Sequence, residues 1–212
     1  MFNYRRELMS IAKSGGIPTN GLVLHYPFNT PVAVGGTVQD MSTSGNNGTL
    51  SGDAFVDSNG LNLGGDGNIN CGHDASLDIG SGFTWCATLS HAEADRWEYI
   101  ISKSGDNAGF GTHYNQFYFL FRLADGNYSH NYSSFSTAIG TKYNVALTFE
   151  NTTFKLYVNG EFKYSKDVEQ GLYNSASIDL HIGGGSRNFK GVADKILIYN
   201  RALSLDEIQK IQ

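Results

Sequence analysis

The chain has 212 residues, a net charge of −5, 13 phenylalanines, 12 tyrosines, 26 glycines and three prolines, and 17% of its residues are charged. An acidic balance argues against a duplex or phosphate-backbone binder, which needs clustered Lys and Arg, and so few charges argue against a disordered acidic chain. No run of about 18 apolar residues occurs, so no membrane insertion is predicted. The length and the aromatic content fit one all-β domain with an aromatic core.

The first 20 residues are predicted to be separate from the folded domain. Their early basic residues are not followed by an apolar stretch, so they do not form a secretory signal. Residues 3–13 are predicted to form a short helix, which the linker 14–18 ends. Because so short a helix is marginal alone, we expect residues 1–20 to form a tether that docks on a partner or stays mobile, and residues 21–212 to form the domain.

Short strands and turns alternate from residue 21 onward, without an internal helix pattern or a sequence repeat. Predicted strands cover residues 22–26, 61–63, 69–71, 83–89, 99–103, 117–123, 145–149, 154–158 and 195–199. Residues 29–51 are predicted to be a long polar loop. The strand at 117–123 is expected to put Phe117, Phe119, Phe121 and Leu123 on one face and Tyr118, Leu120 and Arg122 on the other. Many short strands at such spacings indicate an antiparallel sandwich.

Three local patterns predict how strands connect and how the chain ends. Residues 150–153 link two predicted strands as a hairpin. Asn159 and Gly160 between alternating strands are typical of a type I′ turn, which needs positive φ at both positions. Ser204 followed by Glu207 three residues later is a capping box, which predicts a short C-terminal helix.

The two cysteines, Cys71 and Cys86, lie 15 residues apart on successive predicted strands. Two cysteines in a chain of this length do not make a disulfide framework, so we expect two free, buried thiols. A cross-strand disulfide is the alternative.

Three segments in a fixed order carry a resemblance to a known family: DMSTSGNNG at residues 40–48, FKLYVNG at 154–160 and FKGVADKILIYNRALSLDE at 189–207. Together they resemble the laminin-G-like, concanavalin A-like jelly-roll domains, over roughly residues 21–212. The resemblance implies an antiparallel jelly-roll β-sandwich. It also implies a binding module, because most of these jelly rolls bind ligands that differ widely.

The same resemblance implies a structural Ca²⁺ ion between the loop at Asp40 and the acidic residue that begins the last strand, Asp194. Asn46 is a further candidate ligand. The loop offers carboxylate, amide and carbonyl oxygens, which Ca²⁺ prefers, and two carboxylates brought together would repel without a cation. The alternative is that Asp40 caps a turn and Asp194 accepts hydrogen bonds from backbone amides.

The segment EADRWE at residues 93–98 has the E-x-D-x-x-E spacing of retaining laminarinase-type glycoside hydrolases, which share the jelly-roll architecture. That resemblance implies Glu93 as nucleophile and Glu98 as proton donor. However, the residues between the acids include Arg96, whose burial in a core-facing position would cost several kcal/mol if it were unpaired. We therefore predict an exposed acidic loop and no enzyme activity.

Aromatic and polar residues interleave between His113 and Phe135, and this pattern is typical of sugar recognition. Sugars stack on exposed aromatic rings, while Asn, Asp and backbone groups bond the hydroxyls. The alternative is that half of these tyrosines complete the core. The candidate ligand-binding residues are Trp97, Tyr114, Asn127, Tyr128, His130 and Tyr132.

These patterns predict a lectin-like, non-catalytic recognition module that binds a glycan or a surface protein and does not bind nucleic acid. A tether followed directly by a jelly roll resembles adhesion or decoration proteins of bacterial viruses and of gut-bacterial surfaces, which implies a virion or cell-surface location. Two alternatives stay open: a structural protein that self-associates or docks through residues 1–20, and a glycoside hydrolase that uses Glu93 and Glu98.

Overall fold

The computed structural model describes residues 16–93, 97–103, 107–173, 176–184 and 187–212. Within these ranges the chain forms two antiparallel sheets that pack face to face, with one short α-helix near the C-terminus. The predicted jelly-roll β-sandwich is confirmed. The predicted helix at residues 3–13 lies outside the described residues.

The strands of the first sheet, in spatial order, are β14 (Glu161–Asp167), β13 (Thr153–Val158), β12 (Tyr143–Glu150), β7 (Gly82–His91), β16 (Gly191–Tyr199), β5 (Gly60–Leu63) and β4 (Phe55–Asp57). In addition, β1 (Leu22–Tyr26) pairs with β16. The second sheet runs in the order β11 (Tyr128–Ser136), β10 (Gln116–Arg122), β9 (Ala108–His113), β8 (Trp97–Lys103), β15 (Leu180–Ile182), β6 (Asn68–Asn70), β3 (Gly48–Ser51) and β2 (Thr37–Val38). The helix α1 covers Leu205–Lys210, and a 3-10 turn covers Ala75–Leu77.

All nine predicted strands are present; the strand at 22–26 has the predicted ends, and at least one end of each of the other eight is shifted. The polar loop predicted at residues 29–51 is wrong in part, because it contains β2 and β3. Strands β4, β9, β11, β14 and β15 were not predicted. Several of them are very short or rich in Gly, Ser and Asn, which have low intrinsic β propensity, so pairing with neighbouring strands decides their conformation.

The core between the sheets is largely aromatic. Phe83 of β7 contacts Phe121 of β10 at a ring-centroid distance of 5.4 Å and Phe149 of β12 at 5.8 Å. Phe154 lies 4.8 Å from Phe121. The predicted division of β10 is confirmed, because its phenylalanines join this core while its Tyr118 belongs to a separate cluster on the opposite face.

The predicted turns and cap are confirmed. Asn159 and Gly160 both have positive φ, at 52° and 75°, between β13 and β14. The Ser204 hydroxyl accepts a hydrogen bond from the Glu207 backbone N–H, and the Glu207 carboxylate accepts one from the Ser204 backbone N–H. Glu207 also forms a two-pronged ion pair with Arg201 at 2.6 and 2.9 Å, which fixes α1 to the chain that leaves β16.

Helix α1 covers the outer face of the first sheet. We call its contact region the covered cluster, which consists of Cys86, Ala146, Tyr157, Leu197, Tyr199, Leu203, Ile208 and Ile211. Ile17 packs against this cluster, and Arg201 Nε donates a hydrogen bond to the Asn20 carbonyl oxygen at 2.8 Å. The described part of the predicted tether, residues 16–20, therefore lies against the C-terminal end of the domain.

The two cysteines are free and buried, as predicted. Cys71 packs in the core beside the second sheet, and Cys86 belongs to the covered cluster on the outside of the first sheet. Burial raises the pKa of the Cys71 thiol to about 12, so this thiol stays protonated and unreactive at neutral pH.

Candidate functional site

The outer face of the second sheet carries a row of aromatic side chains along β8, β9, β10 and β11. Side chains alternate between the two faces of a strand, and the cross-strand partners Tyr118 and Tyr132 therefore share this face. We call the row the open aromatic face; its members are Trp97, Tyr99, His113, Tyr118, Tyr128, His130 and Tyr132. No helix of the described chain covers it, in contrast to the first sheet.

Two glycines in β9 leave room for the neighbouring strand β8 and its Tyr99 ring to approach closely. A Cβ atom on Gly109 would overlap the Tyr99 ring, and one on Gly111 would overlap the Glu98 backbone oxygen. Because β9 lacks side chains there, Tyr99 lies flat on the backbone and stacks on Tyr118 at 6.2 Å and 17°. The buried inner members of the row thus form a rigid base for the outer ones.

Two charged or aromatic neighbours pack against the ring of Trp97. The Arg187 guanidinium lies 4.3 Å from the ring centroid, and His113 stacks on it at 4.9 Å and 27°. Trp97 nevertheless remains 40% exposed. Burial, assisted by the Arg187 charge, lowers the His113 pKa, so this imidazole is neutral at pH 7.

Three tyrosines present the most open surface of this region. Tyr114, Tyr128 and Tyr132 are 58%, 45% and 40% exposed. Tyr132 lies 4.9 Å from Tyr118, and the Tyr118 hydroxyl is 2.9 Å from His130 Nδ1. Tyr114 occupies the β9–β10 turn with φ of 51° and contacts the His113 ring edge-on at 4.3 Å. Tyr114 and Tyr132 are therefore exposed to solvent and also in contact with neighbouring rings that hold them in place.

Asn127 lies in the β10–β11 turn, where the Asp125 carboxylate accepts hydrogen bonds from its backbone N–H at 2.9 Å and from its amide at 2.8 Å. The six predicted ligand-binding residues are therefore all on or beside the second sheet. Asn131 and Ser133, which belong to the same interleaved pattern, face inward and are buried. Their positions follow from the alternation of β11, in which every second residue points away from the tyrosines.

A polar group of side chains occupies the other half of this outer face, on β6 and beside β15. The Asp179 carboxylate accepts a hydrogen bond from Asn70 at 2.9 Å and contacts His73 Nδ1 at 2.8 Å, and His181 Nδ1 lies 3.3 Å from the Asn68 amide oxygen. The hydrogen bond with His73 is the main cause that lowers the Asp179 pKa. These residues were not predicted from the sequence.

The sequence does contain a pattern that indicates this polar group. Asn68 and Asn70 flank the buried Ile69, and Asp179 and His181 flank the buried Leu180, which is the period-two pattern of a half-buried strand. Arg187 had no such signal, because it reaches Trp97 from a segment 90 residues away in the sequence.

The residues predicted to bind calcium have other partners in this structure. Asp40 Oδ1 accepts hydrogen bonds from the backbone N–H groups of His25 and Ser42, and Oδ2 accepts from the Ser42 hydroxyl and the Asn46 backbone N–H. Asp194 is paired with Lys142. Both lone pairs of each Asp40 oxygen are in use, as they are in a turn-capping carboxylate.

Asn46 is also engaged, since its amide donates to the Val23 carbonyl and to the Ser76 hydroxyl, both at 2.8 Å. Within the described ranges, no group of three or more His, Cys, Asp or Glu side chains is placed to hold a metal ion. This arrangement does not fit an ion shared by Asp40 and Asp194, and calcium binding itself stays a prediction.

The two acids considered for glycoside hydrolysis, Glu93 and Glu98, differ in their surroundings: Glu93 pairs with a lysine, and Glu98 is buried. The Glu93 carboxylate pairs with Lys190 Nζ at 2.9 and 3.0 Å. Glu98 lies in β8, opposite Thr112, and is 1% exposed. The expectation of an exposed loop is wrong for Glu98, because the strand begins at Trp97 and alternation turns the next side chain inward. Residues 94–96 lie outside the described residues.

The sequence profile of a laminin-G-type family, described as the concanavalin A-like lectin/glucanases superfamily, matches residues 63–209. The chain belongs to this superfamily. The matched region includes the whole open aromatic face, from β8 to β11. A comparison with curated protein sequences found no match.

Several solved structures have a fold similar to that of this chain. The binding domain of paraclostridial mosquitocidal protein 1 is similar with a TM-score of 0.70 and 16% identity, over 90% of this chain and 51% of that one. Trypanosoma rangeli sialidase in complex with the inhibitor DANA is similar with a TM-score of 0.71 and 21% identity, over 95% and 34%. Domain 4 of AbnA, an extracellular arabinanase from Geobacillus stearothermophilus solved with arabinotriose, has a TM-score of 0.62 and 15% identity, over 92% and 99%.

The chain therefore spans about half of the first of these structures and about a third of the second. At such identities the likeness establishes the jelly-roll fold, which this superfamily uses for different tasks. The described residues contain no helix long and apolar enough to cross a membrane.

Proposed function

We propose that this protein is a non-catalytic, lectin-like module that binds carbohydrate on the open aromatic face. The observation that carries the proposal is the set of exposed tyrosines, Tyr128 and Tyr132 above all, held on rigid strands by buried rings beneath them. An exposed tyrosine offers a large apolar surface and loses little conformational freedom on binding, so it suits the C–H face of a sugar.

The polar half of the same sheet supplies the second requirement of a sugar site. Asn68, Asn70, His181 and Asp179 offer donors and acceptors beside the aromatic rows, and sugar hydroxyls need both. Membership of a lectin-containing superfamily supports this assignment, as does the structure of the similar AbnA domain in complex with arabinotriose.

The environments of Glu93 and Glu98 favour binding over hydrolysis. A retaining glycosidase needs two carboxyl groups about 5–5.5 Å apart in one cleft, both able to reach the sugar. Glu98 is enclosed in the sandwich, and Lys190 holds Glu93. The proposal further places the module on a virion or a cell surface, with residues 1–20 as its tether, and this part is supported by the sequence resemblance alone.

The test is a glycan array followed by isothermal titration with the strongest binder. Tyr128→Ala and Tyr132→Ala should each lower the affinity at least tenfold, which corresponds to about 1.4 kcal/mol. The matched control is Phe162→Ala, because Phe162 is an aromatic residue of similar exposure, 53%, on β14 of the first sheet. A blank array, or equal binding by all variants, would overturn the proposal.

A further inference from the structure

Arg122 is a cation on the open aromatic face that forms no ion pair with any described residue. It ends β10, with Tyr128 of β11 as its cross-strand partner. Among the described residues, no carboxylate forms an ion pair with its guanidinium, and its Nε atom is buried without a hydrogen-bond partner. Buried polar groups are rarely left this way in folded proteins.

The position of this guanidinium is fixed by its surroundings. Its central carbon lies 4.5 Å from the centroid of the Tyr173 ring, and the Tyr173 backbone N–H donates to the Arg122 carbonyl oxygen at 2.9 Å. A guanidinium stacked on an aromatic ring keeps its N–H donors in the ring plane, where an incoming anion can meet them.

The nearest acid in sequence, Asp125, does not form an ion pair with Arg122. Its carboxylate instead accepts hydrogen bonds from Asn127 and from the Gln170 amide, the latter at 2.9 Å. The guanidinium of Arg122 is therefore not held by an acid within the described ranges, although the protein carries a net charge of −5. Such a site favours a ligand that brings its own negative charge.

We infer that the ligand is an acidic glycan, whose carboxylate or sulfate binds Arg122 while a sugar ring stacks on Tyr128. This inference rests on the proposed function and adds the class of ligand to it. The planar fork of arginine binds two oxygens of a carboxylate or sulfate at once, which lysine cannot do. Because Tyr128 is the cross-strand neighbour of Arg122, one terminal sugar can contact both side chains.

The ligand also has room to extend beyond one sugar. Arg187 and Trp97 lie at the opposite end of the strands from Arg122, about six residues or roughly 20 Å along β10. The open aromatic face between them is long enough for an oligosaccharide, and both of its ends carry an arginine stacked on an aromatic ring.

The experiment measures the affinity of six saccharides by isothermal titration. Lactose, 3′-sialyllactose and 3′-sulfolactose share one core and differ in the anionic group, and galactotriose, trigalacturonic acid and its trimethyl ester separate charge from the sugar itself. Wild-type protein should bind at least one acidic saccharide at least tenfold more tightly than its neutral partner. The sialylated and sulfated arms distinguish a carboxylate from a sulfate ligand.

Variants assign the effect to Arg122. Arg122→Gln should lower the affinity for the acidic saccharide about tenfold or more and leave the affinity for the neutral partner within twofold. Arg122→Lys should fall between, because it keeps the charge and loses the fork. Lys166→Gln is the matched control, since it removes one exposed cation from β14 of the first sheet. Melting temperatures of all variants confirm folding.

The outcomes separate the two proposals. Equal affinity for acidic and neutral partners, or an Arg122→Gln variant that keeps the preference, overturns the acidic-glycan inference. The proposed function stays in place in that case if Tyr128→Ala lowers the affinity at least tenfold. No binding of any of the six saccharides and a blank array would overturn both.

Discussion

The outer faces of the two sheets both carry apolar side chains, but one face is covered by a helix and no helix of the described chain covers the other. On the first sheet, helix α1 covers Cys86, Leu197 and Tyr199, which become part of a closed cluster. On the second sheet, Tyr99, Tyr118 and Leu120 form the buried base of a surface that stays open, with Tyr128 and Tyr132 above or beside them. The same period-two pattern therefore produces a covered face in one sheet and an open face in the other.

The difference teaches that apolar alternation alone does not identify a binding surface. A covering element must be accounted for, and here it comes from the capped helix at the end of the chain. The comparison also predicts that the two faces respond differently to substitution. Substitutions under α1 should lower the free energy of unfolding and leave the ligand affinity unchanged. Substitutions of the exposed tyrosines should lower the ligand affinity and leave the free energy of unfolding unchanged.

The largest expected effect is that of Ile208→Ala in the covered cluster. Ile208 is fully buried, so its truncation should lower the free energy of unfolding by about 2–5 kcal/mol, measured by urea denaturation. Leu205→Ala, in the same helix at a position that is 43% exposed, is the control and should cost less than about 1 kcal/mol. Equal losses for the two variants would contradict a covering role for α1.

Gly109→Ala should have the next largest effect, now on the second sheet. The added Cβ must displace the Tyr99 ring, which should cost about 1–3 kcal/mol of stability and weaken glycan binding by disturbing the base of the open aromatic face. Gly80→Ala, where nothing lies within 4 Å of the new atom, is the matched control. Unchanged stability and binding in Gly109→Ala would show that the space beside Gly109 is not needed to hold the Tyr99 ring.

Measuring the free energy of unfolding as a function of pH tests how much the helix cap stabilises the fold. The hydrogen bonds from Arg201 are the main cause that lowers the Glu207 pKa from 4.5 to about 2. A lowered pKa stabilises the fold above pH 4.5, and this contribution is lost as the pH falls from about 4.5 to 2. Glu207→Gln should remove about 1–3 kcal/mol at pH 7 and flatten this part of the stability curve.

The control for that titration is Asp206→Asn, which lies in the same first turn of α1. It should leave the acid limb of the curve in place. If Asp206→Asn removes the dependence and Glu207→Gln keeps it, the assignment to the Arg201–Glu207 pair is wrong.

The smallest expected effect is that of removing calcium. Because the Asp40 oxygens are saturated by four hydrogen bonds, EDTA followed by CaCl₂ should move the melting temperature by no more than about 1 °C. A calcium-dependent rise of several degrees would instead support the calcium site predicted from the sequence, and Asp40→Asn would then have to abolish that rise.

The sequence was sufficient wherever the decisive interactions are local. The faces of β10, the Asn159–Gly160 turn and the Ser204–Glu207 cap depend on residues within a few positions of one another, and each was predicted. The strands β9 and β11 were missed because Gly, Ser and Asn do not favour a strand by themselves, and neighbouring strands impose the conformation.

The candidate site could be predicted only in part for the same reason. Tyr128, His130 and Tyr132 were identified from their interleaved pattern on one strand. The contact of Arg187 with Trp97 and the burial of Glu98 depend on the packing of distant segments. The sequence does not show that Arg122 lacks an ion pair with Asp125, because this depends on the hydrogen bonds that Asp125 forms with Asn127 and Gln170.

The most direct test of the account is a titration of ¹⁵N-labelled protein with the saccharide that gives the strongest array signal, followed by backbone amide chemical shifts. We predict that the shifted amides concentrate on β8 to β11, around Tyr118, Tyr128 and Tyr132, and that amides of α1 and of the strands beneath it stay unchanged. Shifts confined to α1 and the outer face of the first sheet would contradict the assignment of the open aromatic face as the binding surface.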